Sequence, residues 1–163
     1  VHGRTRCQLY SGNADWAFVA KVKDAVKLPV IVNGDICGID DAKTALAQSG
    51  ADGVMIGRGA YGRPWLLAQV MAALTGRAVP ADPTLEQQYA LVREHYGLML
   101  ELYGELNGVN LARKHLGWYT KGLFDSASFR NAVNQVTDSR TVLGMIERFY
   151  AAQSRLPVGA LAA

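Results

Sequence analysis

Pro29-Val30-Ile31-Val32-Asn33-Gly34-Asp35 and, about one β-α repeat later, Gly53-Val54-Met55-Ile56-Gly57-Arg58-Gly59 are two apolar runs, each closing on a glycine-centred polar triplet. The first run, entered from Leu28, is short, β-branched and free of polar residues, the pattern of a parallel strand buried on both faces. Strand ends are where an α/β sheet offers backbone N–H groups and short side chains to a ligand, and phosphate is the first candidate. Glycine at 34, 57 and 59 permits sharp turns and close approach to that ligand. Arg58 adds a fixed fork of donors suited to phosphate oxygens. Either triplet alone is an ordinary turn; two of them one repeat apart, one with arginine, favour a ligand.

The flanks supply the alternation that a parallel sheet needs. Trp16, Val19, Val22 and Val26 recur at helical spacing behind the turn cluster Ser11-Gly12-Asn13-Ala14-Asp15, where Asp15 or Asn13 caps the helix. Asp40 or Asp41 starts a second helix through Ala42, Ala45 and Leu46, which Gly50 stops. A third helix follows Arg63-Pro64-Trp65 and runs to Leu74. Strand, helix, strand, helix implies parallel strands joined by crossovers. Val1 to Arg6 reads as the end of an earlier strand, with His2, Arg4 and Arg6 alternating toward one face and suggesting an anionic or planar ligand.

Residues 78–83 hold two prolines and read as a linker, and beyond them only helical periods occur. Leu85, Tyr89, Val92, Tyr96, Met99 and Tyr103 mark one face of a long helix. Asn110 is expected to cap a second helix, Ser126 a third, and Asp138 or Ser139 a fourth. The expected organisation is α/β over 1–77, a linker over 78–83, a small helical bundle over 84–155 and a tail over 156–163.

With half of its 163 residues apolar and 19% charged, the chain is able to bury a core and is not disordered in composition. Its longest apolar runs fall far short of the roughly 20 residues that span a bilayer, and Val1-His2-Gly3-Arg4 is not followed by the apolar stretch of a signal peptide. A cytoplasmic protein is expected. Cys7 and Cys37 lack metal-type spacing and are too few for a disulfide framework, so both are expected as reduced thiols, with no metal. The net charge of +3 permits a polyanionic partner without demanding one.

A second feature lies in the helical part. Ala112-Arg113-Lys114-His115-Leu116-Gly117-Trp118-Tyr119-Thr120-Lys121 concentrates basic and aromatic residues. Arg113, Lys114 and Lys121 suit phosphates, and Trp118 or Tyr119 suits a flat group, which makes nucleic acid the obvious partner. The opposing interpretation, a core tryptophan under a solvated basic face, is equally compatible with the spacing.

Taken in order, Val1-His2-Gly3-Arg4-Thr5-Arg6, Pro29 to Ile36, Gly53 to Ala60 with Gly62 and Pro64-Trp65, and then Arg113-Lys114-His115, Gly117-Trp118-Tyr119 and Lys121-Gly122 resemble the tRNA-dihydrouridine synthase family, in its bacterial B-type form. The resemblance covers nearly the whole chain. It implies the C-terminal part of an FMN-bearing TIM (β/α)8 barrel followed by a helical domain that grips tRNA. The implied reaction reduces the uracil 5,6 double bond in tRNA, with NADPH reloading the flavin, in an enzyme expected to be monomeric. By resemblance, Asn33, Gly34, Asp35, Gly57 and Arg58 match positions that bind the FMN phosphate, and His2 matches a histidine near the flavin. Arg113, Lys114, His115 and Lys121 match positions implicated in tRNA binding.

The family's proton-donating cysteine, a flavin-facing lysine and an N-terminal flavin-contacting strand lie upstream of the histidine motif, hence before Val1. Cys7 and Cys37 stand in other motifs, so no catalytic residue is expected in this chain. Only about two and a half β-α units precede the linker, whereas a closed barrel takes eight strands and about 250 residues. The expectation is therefore a C-terminal fragment, inactive alone. Two alternatives stand beside it: a small-molecule flavin oxidoreductase of the dihydroorotate or old-yellow type, and a non-catalytic RNA-binding remnant.

Overall fold

The computed structural model describes residues 1–155; the expected tail lies outside the described residues. The chain divides into two compact units, Val1–Ala81 and a second that begins at Asp82.

In the first unit, helix α1 (Trp16–Ala25) starts where the Asp15 carboxylate accepts the Phe18 N–H at 2.8 Å. It buries Val19 and leads to strand β1 (Ile31–Asn33). Helix α2 (Ile39–Ser49) buries Ala42 and Ala45 and ends at Gly50, whose φ of +60° is the left-handed stop expected there. Strand β2 (Gly53–Met55) pairs in parallel with β1 in the register Ile31↔Gly53, Val32↔Val54, Asn33↔Met55. A 3-10 turn (Arg58–Ala60) and helix α3 (Leu66–Leu74) complete the unit. On the other side of β1, His2 forms a parallel bridge to Asn33, so three chain segments lie side by side in parallel. Asp52 joins the elements behind them: its carboxylate meets Lys23 Nζ of α1 at 2.7 Å and accepts the Val30 N–H at 2.6 Å.

Two expectations change here. β1 is not buried on both faces: Val32 is wholly buried among Val19, Val30, Ala42, Ala45, Leu66 and Val70, while Ile31 keeps 44% of its surface exposed. Helices cover only the Val32 face among the described residues. The second difference is that Asp40 and Asp41 do not precede α2. Gly38 is its N-cap and both acids lie in the first turn, from which Asp41 reaches back to accept the Cys37 N–H at 2.9 Å.

Among the described residues, the second unit is all helical. Thr84 and Gln87 form a reciprocal capping box at the start of α4 (Leu85–Tyr103), satisfying two N–H groups that the helix itself cannot. Helix α5 (Glu105–Tyr119) packs back on α4 so closely that a side chain at Gly108 would meet the Leu100 Cα and the Met99 carbonyl at 2.9 Å. Helices α6 (Ser126–Val133) and α7 (Ser139–Gln153) close a core around Val92, Val109, Leu116, Val133, Val142 and Ile146. Asp138 caps α7 as expected, accepting the Thr141 N–H at 2.7 Å.

Asn110 does not begin a helix. It sits inside α5, because the break from α4 falls at Gly104, whose φ of +74° and ψ of 166° lie in a region open essentially to glycine alone. Ser126 is likewise the first residue of α6, with Asp125 at the N-cap in a left-handed conformation and no side-chain capping bond. α/β followed by all-α is thus the observed order, with a two-stranded parallel sheet plus the His2 bridge as the β content among the described residues.

Candidate functional site

The two strand-end triplets meet in one open pocket of about 470 Å³, whose walls include His2, Asn33, Gly34, Asp35, Gly57 and Arg58. The five residues expected at the cofactor phosphate and His2, expected near the flavin, therefore line one pocket. Met55, Cys37 and Tyr61 also line it.

Glycines 34 and 59 make that meeting possible. A Cβ at Gly59 would lie 2.2 Å from the Ile36 carbonyl oxygen, so only glycine lets the second loop pass under the first. Gly34 has φ +114°, and a Cβ there would meet the His2 ring and the Ala14 methyl at 2.9 Å. Gly57 differs: its added Cβ would meet nothing within 4 Å, so its backbone faces the pocket with no side chain in the way. Arg63 clamps the junction by donating to the Gly59 carbonyl at 3.1 Å and to the Cys37 carbonyl. Trp16 Nε1 donates to the Gly34 carbonyl at 2.8 Å, fixing the first loop to α1.

Charge in the pocket is unevenly committed. The Asp35 carboxylate accepts from Arg4 Nη1 at 2.7 Å, from Arg4 Nη2 at 2.5 Å and from the Ala14 N–H at 2.8 Å. Arg4 also donates to the carbonyls of Ser11 and Gly12 at 3.2 and 2.6 Å, and its side chain is 5% exposed. Arg4 is thus spent on protein partners and does not face a ligand as the His2-Arg4-Arg6 alternation suggests; Arg6 is exposed in the turn after the bridge. The Arg4 hydrogen bond, reinforced by Ala14 and by the positive charges of Arg4 and Arg58, holds the Asp35 carboxyl below its ordinary 3.8.

Arg58 is the opposite case. Its guanidinium stands 3.8 Å from Asp35 and 4.7 Å over the Tyr10 ring, with 54% of the side chain exposed. Counting Arg4, Arg58 and Asp35, the pocket carries one excess positive charge, and its one carboxylate is already neutralised. A phosphate monoester fits these residues: an open glycine backbone, an accessible arginine and no uncompensated negative charge. His2 adds an oriented ring, because its Nδ1 accepts the Arg4 N–H at 2.9 Å and the proton of the neutral ring then sits on Nε2.

The four residues expected at RNA are not equivalent in place. Lys114 and Lys121 are exposed. Arg113 is half-buried and donates to the Val136 carbonyl at 3.0 Å, tying α5 to the segment after α6. His115 is half-buried between His95 and Trp118, each ring centroid 4.9 Å from its own, and burial together with His95 lowers its pKa from 6.5. Arg113 and His115 therefore serve the interior of the unit, and the two lysines its surface.

Sequence reasoning missed Arg63 as a clamp, Arg4 as the neutralising partner of Asp35 and Tyr10 as the support of Arg58. Arg4 and Tyr10 reach the site through tertiary contact; Arg63 stands one helical turn after Gly59, a spacing that signals little by itself. Among the described residues there is no group of three or more His, Cys, Asp or Glu able to hold a metal, and no helix is long and apolar enough to cross a membrane.

The family model of dihydrouridine synthase (Dus) matches residues 1–154. Among curated relatives, a probable tRNA-dihydrouridine synthase of Rickettsia bellii is 57% identical over 151 residues, covering 92% of this chain and 46% of its own. One of Rhodobacter capsulatus is 48% identical over 146 residues, covering 90% and 44%. The tRNA-dihydrouridine synthase B of Pseudomonas aeruginosa is 39% identical over 163 residues, covering 99% and 49%. The chain spans about half the length of the curated relatives it matches.

Proposed function

The chain belongs to the dihydrouridine synthase family, and we propose that it supplies the phosphate-holding end of the flavin site and the RNA-contacting helical unit of an FMN-dependent tRNA-dihydrouridine synthase. What carries the proposal is one juxtaposition: Arg58, accessible beside an Asp35 that Arg4 has already neutralised, lines the same pocket as the open backbone at Gly57. When bound, FMN would supply the hydride that saturates the uracil 5,6 bond, and NADPH would be its reductant.

Each residue then has a part. Arg58 donates to the phosphate, and the Gly57 backbone lets the oxygens come close. The Tyr10 ring supports Arg58, and Arg4 offsets the charge of Asp35 so that Arg58 stays available to the phosphate. His2 directs its Nε2 proton toward the bound group, and Gly59 with Arg63 keeps the two loops at a fixed separation. Proton donation to uracil falls outside these roles; Cys37 lines the pocket but is an exposed loop thiol between the phosphate loop and α2.

The test uses the full-length enzyme carrying this chain. Arg58→Ala should weaken FMN retention by roughly tenfold to a hundredfold, the equivalent of a charge-assisted hydrogen bond of about 1.5–3 kcal/mol. Flavin fluorescence after gel filtration reads this directly. Retention equal to wild type would remove the phosphate assignment. Dihydrouridine in unmodified tRNA, formed with NADPH, reads the reaction; turnover only on a free small molecule would favour an ordinary flavin oxidoreductase instead.

A further inference from the structure

Residues 106–137 contain four Lys or Arg, at 113, 114, 121 and 130, against the single acid Asp125, although residues 82–163 as a whole hold eight of each sign. Four of the unit's eight basic residues thus lie in a stretch that holds one of its eight acids. Lys114 and Gly117 stand three residues apart on one face of α5, and Lys121 follows in the turn just beyond its end at Tyr119. Gly117 leaves a gap in that face. Arg130 of α6 fills it: a Cβ at Gly117 would lie 3.3 Å from its Cδ and 3.7 Å from its Cγ.

The aliphatic stem of Arg130 thus packs over Gly117 of α5, and Arg113, bonded to the Val136 carbonyl, ties the chain beyond α6 to the same helix. Among the described residues, Lys114, Lys121 and Arg130 have no ion-pair partner. Three exposed, unpaired cations, one of them packed over the glycine between the other two in sequence and with no acid between Lys114 and Lys121, are suited to a polyphosphate backbone rather than to a protein surface of mixed charge.

We propose that Arg130 is a phosphate-contacting residue of the tRNA surface, forming with Lys114 and Lys121 a three-cation cluster whose geometry depends on the missing side chain of Gly117. This rests on the tRNA reading given above and deepens it. Arg130 contacts the RNA, Gly117 positions Arg130, and Arg113 positions α6.

The experiment measures binding of an unmodified tRNA transcript to the full-length enzyme at several salt concentrations. Arg130→Gln should weaken binding roughly fivefold to tenfold at low salt and reduce the slope of log K against log salt by about 0.7–0.9, the loss of one phosphate contact. Arg130→Lys should restore most of the slope. Gly117→Leu, which changes no charge, should weaken binding to a similar extent by displacing Arg130, and circular dichroism melting will show whether the helices remain intact. Arg93→Gln, on exposed α4, should leave the slope unchanged. If Lys114→Gln and Lys121→Gln weaken binding but Arg130→Gln does not, the cluster is refuted while the tRNA reading survives. If the enzyme binds tRNA and none of the three matters, the surface lies elsewhere and the inference fails. An enzyme that does not bind tRNA at all would refute the functional reading itself.

Discussion

At the scale of single residues, Arg4 is the side chain on which the site depends without touching a ligand. It is nearly inaccessible and satisfies the Asp35 carboxylate and two loop carbonyls at once. Removing Arg4 takes a charged hydrogen bond from a carboxylate that retains the Ala14 N–H and Arg58. Arg4→Ala should therefore destabilise the first unit by about 1.5–3 kcal/mol, the range for a hydrogen bond to a charged group, with Asp35 keeping 28% of its side chain exposed. Chemical denaturation measures it. The sign of the pH dependence follows from the lowered Asp35 pKa. A carboxyl depressed in the folded state contributes stability above its unfolded value of about 3.9, and that stability is lost as pH falls through the lower folded value. Asp35→Asn should flatten this acid limb of the stability curve.

At the scale of elements, two predictions concern the α4/α5 pair. Gly104 separates these helices by one residue in a backbone region that other residues enter at a cost of about 1–3 kcal/mol, and its φ of +74° has no other explanation in local packing, since an added Cβ would meet nothing. Gly104→Ala should lower the stability of the helical unit by that amount, as read from urea unfolding followed at 222 nm. The second prediction concerns His95 and His115, which face one another across the pair, with the Tyr119 hydroxyl 3.0 Å from His95 Nδ1 and Trp118 beside His115. Burial lowers both pKa values from 6.5, so the unfolded chain takes up protons before the folded one. Stability is full above about pH 6.5 and declines as pH falls below it toward the folded values. His115→Gln should reduce that decline; an unchanged pH profile in the variant would show that the ring does not titrate with unfolding.

At the scale of the whole molecule, the exposed faces of Ile31 and Met55, at 44% and 56%, lie on the side of the sheet that no helix of the first unit covers among the described residues. The chain also spans about half the length of its curated relatives. We predict that residues 1–163 expressed alone form no dihydrouridine on unmodified tRNA with NADPH, whereas a full-length enzyme carrying them does. Robust turnover by the 163-residue chain would mean that every group the reaction needs is already among these residues, with Cys37 the first to substitute.

Much of this was legible in order along the chain. The apolar runs ending at Asn33 and Met55, the left-handed Gly50 and the capping Asp15 and Asp138 are local signals, because strand formation, helix stops and caps depend on neighbours a few residues away. The family resemblance rested on the same linear motifs. Helix starts at Glu105 and Ser126 were not legible, since Asn110 and Ser126 carry capping chemistry whether or not a helix begins there, and two positive-φ residues, Gly104 and Asp125, set the starts instead. The partition of charge was decided only by tertiary structure. Arg4 and Arg58, or Arg113 and Lys114, are chemically alike in the sequence, yet one of each pair is consumed by distant carbonyls or carboxylates and the other faces outward. The sequence by itself determined the elements and the residue types at the two glycine triplets. Packing across 30 residues of chain determined which of those charges remain free for a ligand, because an arginine's donors are shared out by proximity in space and not by position in the chain.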